Sequence, residues 1–259
     1  AQNMLTADRA GNIGIRSTGR YPIRPSNGRG DVAFDGSTRN SDWTGDQPIG
    51  WYPQSINPAQ GYLASANQQP LDPSVRAGYH GADWPSPWRA MRINNLLRGD
   101  SSVTVDDMRR FHTDPRSELT PFVMTAIGDA KVAAERAGTW TAEDETAFAH
   151  LSKGDAEFTP ESAWAVLFSA VVGSLNRHVW DELVLPGEDR RIATPGQMVL
   201  VMLFRDPSNA WWDDRRSSDV KETRDEIVLR ALREAWTETR AAQGNNPSEW
   251  RWGNVRQIN

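Results

Sequence analysis

Seven large apolar residues, Trp164, Leu167, Phe168, Val171, Val172, Leu175 and Val179, recur at i, i+3, i+4, i+7, i+8, i+11 and i+15. At 3.6 residues per turn they form one broad stripe along a helix, and such a stripe is stable only when neighbouring elements bury it. Thr159-Pro160 opens this helix. The surrounding sequence offers the elements to cover it. Thr104-Val-Asp-Asp107 and Thr141-Ala-Glu-Asp144 are capping-box patterns, the second starting a helix that ends near Gly154. Arg89 to Leu97 carries Met91, Ile93, Leu96 and Leu97 in a helical stripe. Asp114-Pro115 caps a helix running to about Ala137, with Pro121 bending or restarting its first turns and Gly138 as its stop. Thr194-Pro195 opens an apolar element through Phe204 that fits either a helix or a buried strand. Asp219 to Ala242 reads as a charged helix closed by Gly244, with Val228, Ala231, Leu232, Ala235 and Trp236 facing inward.

The first third of the chain is different. Met4 to Asp8 and Ile13 to Gly19 are strand-like runs around an Asp-Arg-Ala-Gly-Asn turn, where Gly11 and Asn12 tolerate positive φ. Residues 25–60 are rich in Pro, Gly, Ser and Asn and lack periodicity, so they predict a long surface excursion. So long a loop usually covers or lines something. The Arg29-Gly30-Asp31 tripeptide within it is too short a pattern to carry a function. Gly61 to Gln68 reads as a strand, and a second loop runs to about Pro87. The expected architecture is α+β, with a β-rich part over 1–87 and a mainly helical region over 88–259.

Composition removes several function classes. A net charge of −5 over 259 residues provides no electrostatic footprint for nucleic acid or an anionic membrane. The absence of cysteine excludes disulfides, thiolate metal sites and a Cys nucleophile. No apolar run approaches the roughly 18 residues of a membrane span. The opening residues lack the basic start and long apolar stretch of a signal peptide, and they read as a strand entered in mid-fold. Twelve tryptophans are spread along the chain without a repeat. They serve either as core anchors or as stacking platforms for sugars and aromatic groups.

The chain holds no Gly-x-Ser-x-Gly elbow, phosphate-cradling loop or dinucleotide fingerprint. His80, His112, His150 and His178 are scattered without metal-ligand spacing. Asp106-Asp107 and Glu143-Asp144-Glu145 fall at helix starts, where the helix dipole already accounts for them. Asp213-Asp214 is a further pair of acids.

Three segments carry a more specific pattern. They are Arg9-Ala-Gly-Asn-Ile-Gly14, Asn57-Pro-Ala-Gln-Gly-Tyr-Leu-Ala-Ser-Ala-Asn67-Gln, and Trp88-Arg89-Ala-Met-Arg-Ile-Asn-Asn-Leu-Leu97. In this order they resemble the middle part of the β subunit of the penicillin amidase (penicillin acylase) family of N-terminal-nucleophile (Ntn) hydrolases. Val105 to Ser117, Trp211-Trp212 and Trp250 to Gly253 are similar to later segments of that subunit, so the resemblance spans nearly the whole chain.

The resemblance implies part of an Ntn-hydrolase αββα sandwich followed by a mainly helical region. It implies cleavage of an acyl group from an amine, in a penicillin-type, cephalosporin-type or acyl-homoserine lactone amide. The nucleophile would be an N-terminal Ser freed by autocatalytic cleavage of a precursor. Ala1 has no hydroxyl, so that Ser would lie outside this chain, on a partner segment of the same precursor. Asn67 matches the family's oxyanion-hole Asn, and Arg89 matches an Arg that supports the site. Gln2 stands where some members place an apolar acyl-pocket residue. Calcium-binding members have a carboxylate eleven residues after the Asn, whereas this chain has Gly78, with Asp72 and Asp83 nearby. No cofactor is expected from this chain's own residues; the resemblance leaves calcium open for the intact enzyme, with no ligands identifiable in this chain. Periplasmic or secreted location is implied by the resemblance alone. The alternative reading is a non-catalytic, Trp-rich binding module for carbohydrate or peptide.

Overall fold

The structure, a computed structural model, describes residues 2–24, 28–72, 74, 79–183, 192–213 and 219–256. Ala1, Gly78 and Asp214 lie outside them. The chain divides into two compact units, residues 1–108 and 109–259.

The first unit opens with the expected hairpin. β1 (Asn3–Ala7) pairs antiparallel with β2 (Ile13–Ser17), in the register Asn3 opposite Ser17 and Ala7 opposite Ile13. Asp8 builds the turn, its carboxylate accepting from the backbone N–H groups of Ala10 and Asn12 at 2.9 Å each and from Asn12 Nδ2 at 2.8 Å. These bonds, led by Asn12's, hold the Asp8 carboxyl below its ordinary range. β3 (Pro22–Ile23) and β4 (Gly45–Asp46) form a separate two-stranded sheet.

Two departures from the sequence reading occur here. β5 (Gln54–Ile56), inside the segment read as loop, adds to β2 and gives the order β1-β2-β5. Residues 61–68 form no strand. The Gln68 side chain takes the place of a neighbouring strand there, accepting from Ala66 N at 2.7 Å and donating to Ala64 O at 3.3 Å. Gly61 and Asn67 have φ of 78° and 64°, which a strand cannot accommodate. α1 (Trp88–Arg98) completes the framework around this segment.

α2 (Val105–His112) carries the chain across the division at 108/109. The second unit contains α3 (Thr120–Ala137), α4 (Ala142–Ser152), α5 (Ala163–Val179), α6 (Gln197–Phe204), α7 (Arg224–Gln243) and the short α8 (Trp252–Val255). α5 bears the apolar stripe and packs chiefly on α7, which α3 also contacts. Leu167, Val171, Leu175 and Val179 are sealed from solvent, as are Val228, Ala231, Leu232 and Ala235 of α7. Full burial of each large aliphatic side chain contributes about 1.5–3 kcal/mol. Ala126, Ala130 and Ala134 give α3 a small-residue face.

Two helix starts differ from the sequence reading: α3 begins with Pro121 in its first turn, and α5 begins after Ser162. Residues 115–117 pair with 156–158 through Ser117 N to Ala156 O and Phe158 N to Pro115 O, so α3 begins at Thr120 and not at Pro115. Ser162 caps α5, and Thr223 with Glu226 forms a capping box that starts α7. Trp164, Trp180, Trp212, Trp236 and Trp250 are buried, which assigns them to the core.

Candidate active site

The first unit brings the three sequence motifs into one framework. Asn57, held at φ 47°, accepts from Ile13 N through Oδ1 at 2.9 Å and donates from Nδ2 to Asn12 Oδ1 at 2.9 Å. One side-chain amide thus ties the Asn-Pro segment to the hairpin turn. Further along, Tyr62 donates its hydroxyl to Asn94 Oδ1 at 2.9 Å, and Asn94 Nδ2 donates to Ala90 O at 2.7 Å, fastening residues 61–68 to α1.

At the end of that segment Arg89 meets Asn67. Its Nη2 donates to Asn67 Oδ1 at 2.9 Å and to Ala66 O at 3.0 Å. An amide whose oxygen receives a guanidinium N–H has its orientation fixed, leaving the NH2 group as its free end. Asn67 is exposed, and its Nδ2 donates to no group among the described residues. Arg89 forms no ion pair among the described residues. Asn is among the few residues that tolerate the left-handed backbone found at 67.

The opposite side of the segment is held by the hairpin. Asn3 Nδ2 donates to Ser65 Oγ at 2.8 Å, and the buried Ser17 donates to Asn3 Oδ1 at 2.8 Å. Neither Asn3, Ser17 nor Ser65 carries a sequence signal, because each is an ordinary polar residue until the fold aligns them. Gln2, next to Asn3, is exposed. Its carbonyl accepts from Thr18 N at 2.7 Å and Thr18 Oγ1 at 3.0 Å, and its side chain bonds neither Asn67 nor Arg89. Of the three sequence candidates, two are therefore joined directly, and Gln2 adjoins the network through its neighbour.

Asp72 spends Oδ1 on the N–H and hydroxyl of Ser74, and among the described residues no group of three His, Cys, Asp or Glu could hold a metal.

Comparison with known proteins identifies the family. The penicillin amidase family model matches residues 1–259. The chain belongs to the penicillin amidase family. It is 29% identical over 276 residues to the acyl-homoserine lactone acylase QuiP of Pseudomonas syringae pv. syringae, covering 99% of the present chain and 32% of that protein. It is 28% identical to QuiP of Pseudomonas aeruginosa over 268 residues, covering 98% of this chain and 31% of that one. Against penicillin G acylase of Escherichia coli the identity is 33% over 104 residues, covering 40% and 12% of the two chains. The chain spans about a third of the length of the QuiP relatives it matches. Thermostable penicillin G acylase from Alcaligenes faecalis shares its fold, with a TM-score of 0.66 at 20% identity over 96% of this chain and 48% of that structure. The chain therefore shares the fold of part of that acylase, as the resemblance to Ntn hydrolases implies. No described helix is long and apolar enough to cross a membrane.

Proposed function

We propose that this penicillin amidase chain supplies the oxyanion-binding part of an amidohydrolase that removes an acyl group from an amine. In this reading a partner segment of the same precursor provides an N-terminal Ser. Its hydroxyl oxygen attacks the amide carbonyl carbon while its α-amine, with an ordinary pKa of about 7.7, accepts the hydroxyl proton. The carbonyl oxygen becomes an oxyanion and receives an N–H from Asn67 Nδ2. Collapse of the tetrahedral intermediate breaks the C–N bond, and the α-ammonium returns the proton to the leaving amine. Water repeats the cycle on the acyl-enzyme. Arg89 keeps the Asn67 amide oriented and adds a positive charge beside it.

The observation that carries this reading is the Arg89–Asn67 bond at 2.9 Å, which presents Nδ2 as the amide's unused donor on an exposed residue. Preorganised donors of this kind matter because they need no rearrangement as charge develops. Two surface features support the partner segments. Met4 and Leu5, successive residues pointing to opposite faces of edge strand β1, are 56% and 49% exposed, and Ile56 on the other edge strand is 70% exposed. A sheet with apolar side chains open on both faces calls for covering elements. The substrate class is an N-acyl amide of the β-lactam side-chain or acyl-homoserine lactone type, as the relatives' names suggest, with Gln2 bordering the acyl site. Export to the periplasm or outside follows from the family. The burial of Trp164, Trp180, Trp212, Trp236 and Trp250 removes those five from the Trp-rich binding-module reading, which then rests on loop residues such as the exposed Trp43.

In the intact enzyme, Asn67→Ala is expected to lower kcat roughly 100- to 1000-fold with little change in KM. Undiminished turnover would remove Asn67 from the site.

A further inference from the structure

We infer that Asn3, through the relay Ser17–Asn3–Ser65, is a positioning residue for the Asn67 donor; this rests on the reading of Asn67 given above. Asn3 and Ser17 are directly opposed across the β1–β2 ladder, so their side chains share one face. Ser17 is 5% exposed, and a buried hydroxyl is costly unless bonded. Its O–H goes to Asn3 Oδ1 at 2.8 Å. That bond sets which end of the Asn3 amide faces onward, and Nδ2 donates to Ser65 Oγ at 2.8 Å. The relay is directional: Ser17 donates to Asn3 and Asn3 donates to Ser65.

Ser65 lies two residues before Asn67, and nothing else among the described residues connects that stretch to the hairpin by a side-chain bond. Residues 61–68 have no ladder to hold them. Ala66 is buried, with its N–H taken by Gln68 and its carbonyl by Arg89. Arg89 fixes the side-chain amide of Asn67 from α1, and the relay fixes the backbone from the sheet. Without the relay the segment is held from α1 alone, through Tyr62 and Arg89, and can pivot about those bonds. A displacement of about 1 Å in a catalytic donor costs up to about 100-fold in rate.

The test is a double-mutant cycle in the intact enzyme, with kcat and KM expressed per processed molecule. Asn3→Leu keeps the size of the side chain and removes both bonds; it is expected to lower kcat by roughly 10- to 100-fold with KM unchanged. Asn3→Asp can accept from both serine hydroxyls, keeps the tether, and is expected to restore most of kcat. In the Asn67→Ala background Asn3→Leu should cost almost nothing more, because the donor it positions is gone. Full kcat in Asn3→Leu overturns the inference, as does the same loss in both backgrounds. Full kcat in Asn67→Ala instead overturns the oxyanion reading, and the relay loses its object. If Asn3→Leu does not fold or mature, Ser17→Ala, which leaves Asn3 free to turn its amide, carries the same comparison.

Discussion

Arg89→Ala separates a residue that holds a donor from one that is itself the donor. Asn67 keeps its amide in both cases, so the loss comes from disorder and from lost polarisation. With three χ1 wells and two χ2 orientations, a freed Asn67 side chain samples about six conformers, of which one presents Nδ2 as observed, a factor of about 6 in kcat. The charge-assisted bond from Arg89 Nη2 at 2.9 Å also strengthens the N–H that opposes the oxyanion. Such bonds contribute about 1.5–3 kcal/mol in full. Only the part that grows in the transition state affects kcat. Together these place Arg89→Ala at roughly 10- to 50-fold below wild type. That is a smaller loss than the roughly 100- to 1000-fold expected for Asn67→Ala. Arg89→Lys retains the charge without the planar fork and falls between wild type and Arg89→Ala. The assay is steady-state release of free amine from an N-acyl substrate, with kcat and KM determined for each variant. A loss in Arg89→Ala equal to or greater than that of Asn67→Ala would show that Arg89 faces the reacting atoms directly. No loss would show that its bond to Asn67 holds nothing that turnover requires.

The helical unit gives two further tests. A Cβ at Gly154 would lie 1.8 Å from Trp164 Cδ1, and Trp164 is fixed by its 3.0 Å bond to Leu151 O and its stacking on Phe168; Gly154→Ala should therefore cost about 1–3 kcal/mol, and an unchanged denaturant midpoint would contradict this packing. Burial pushes the Glu234 carboxyl up, but hydrogen bonds from Ser174, Arg177 and His178 outweigh it and bring it from 4.5 down to about 2. A depressed carboxylate stabilises the fold fully above 4.5 and loses that contribution as pH falls through about 2, so Glu234→Gln should flatten the acid limb of a urea-midpoint titration in that window; an unaltered limb would count against it.

The sequence reveals the helices because their burial is periodic: the α5 stripe and the α7 residues Val228, Ala231, Leu232, Ala235 and Trp236 face the core as their spacing requires. Helix starts are less legible where two signals compete. Asp114-Pro115 is a valid cap, yet Asp114 bonds Arg116 N and the next residues pair with 156–158, a contact no local pattern encodes. The apolar run Met198 to Phe204 fits strand or helix, and the structure makes it α6. At the site, Asn67 and Arg89 come from the family resemblance, whereas the strand read over Gly61 to Gln68 does not form. Alternating Tyr62, Ala64 and Ala66 imitate a strand, whereas the Gln68 side chain and two positive φ angles exclude one. Ser17, Asn3 and Ser65 are illegible in principle, since their meaning depends on a hairpin register and a contact 62 residues away.

On the proposed reading of Asn67 as an oxyanion donor, the chemistry of the groups around it matches what such a site must avoid. The segment is tied by Asn3, Ser17, Ser65, Tyr62, Gln68 and Asn94, all neutral, and each amide both accepts and donates, so the network is satisfied without a carboxylate. Among these bonds of the described residues, Arg89 alone brings a formal charge. A carboxylate placed within ion-pair reach of Arg89 would draw its positive potential away from the amide it orients. It would also place a negative charge beside a developing one, which weakens binding of the transition state. Neutral amides give the irregular segment its rigidity while bringing no carboxylate to the guanidinium, and that combination suits stabilising an anion that exists only during the reaction.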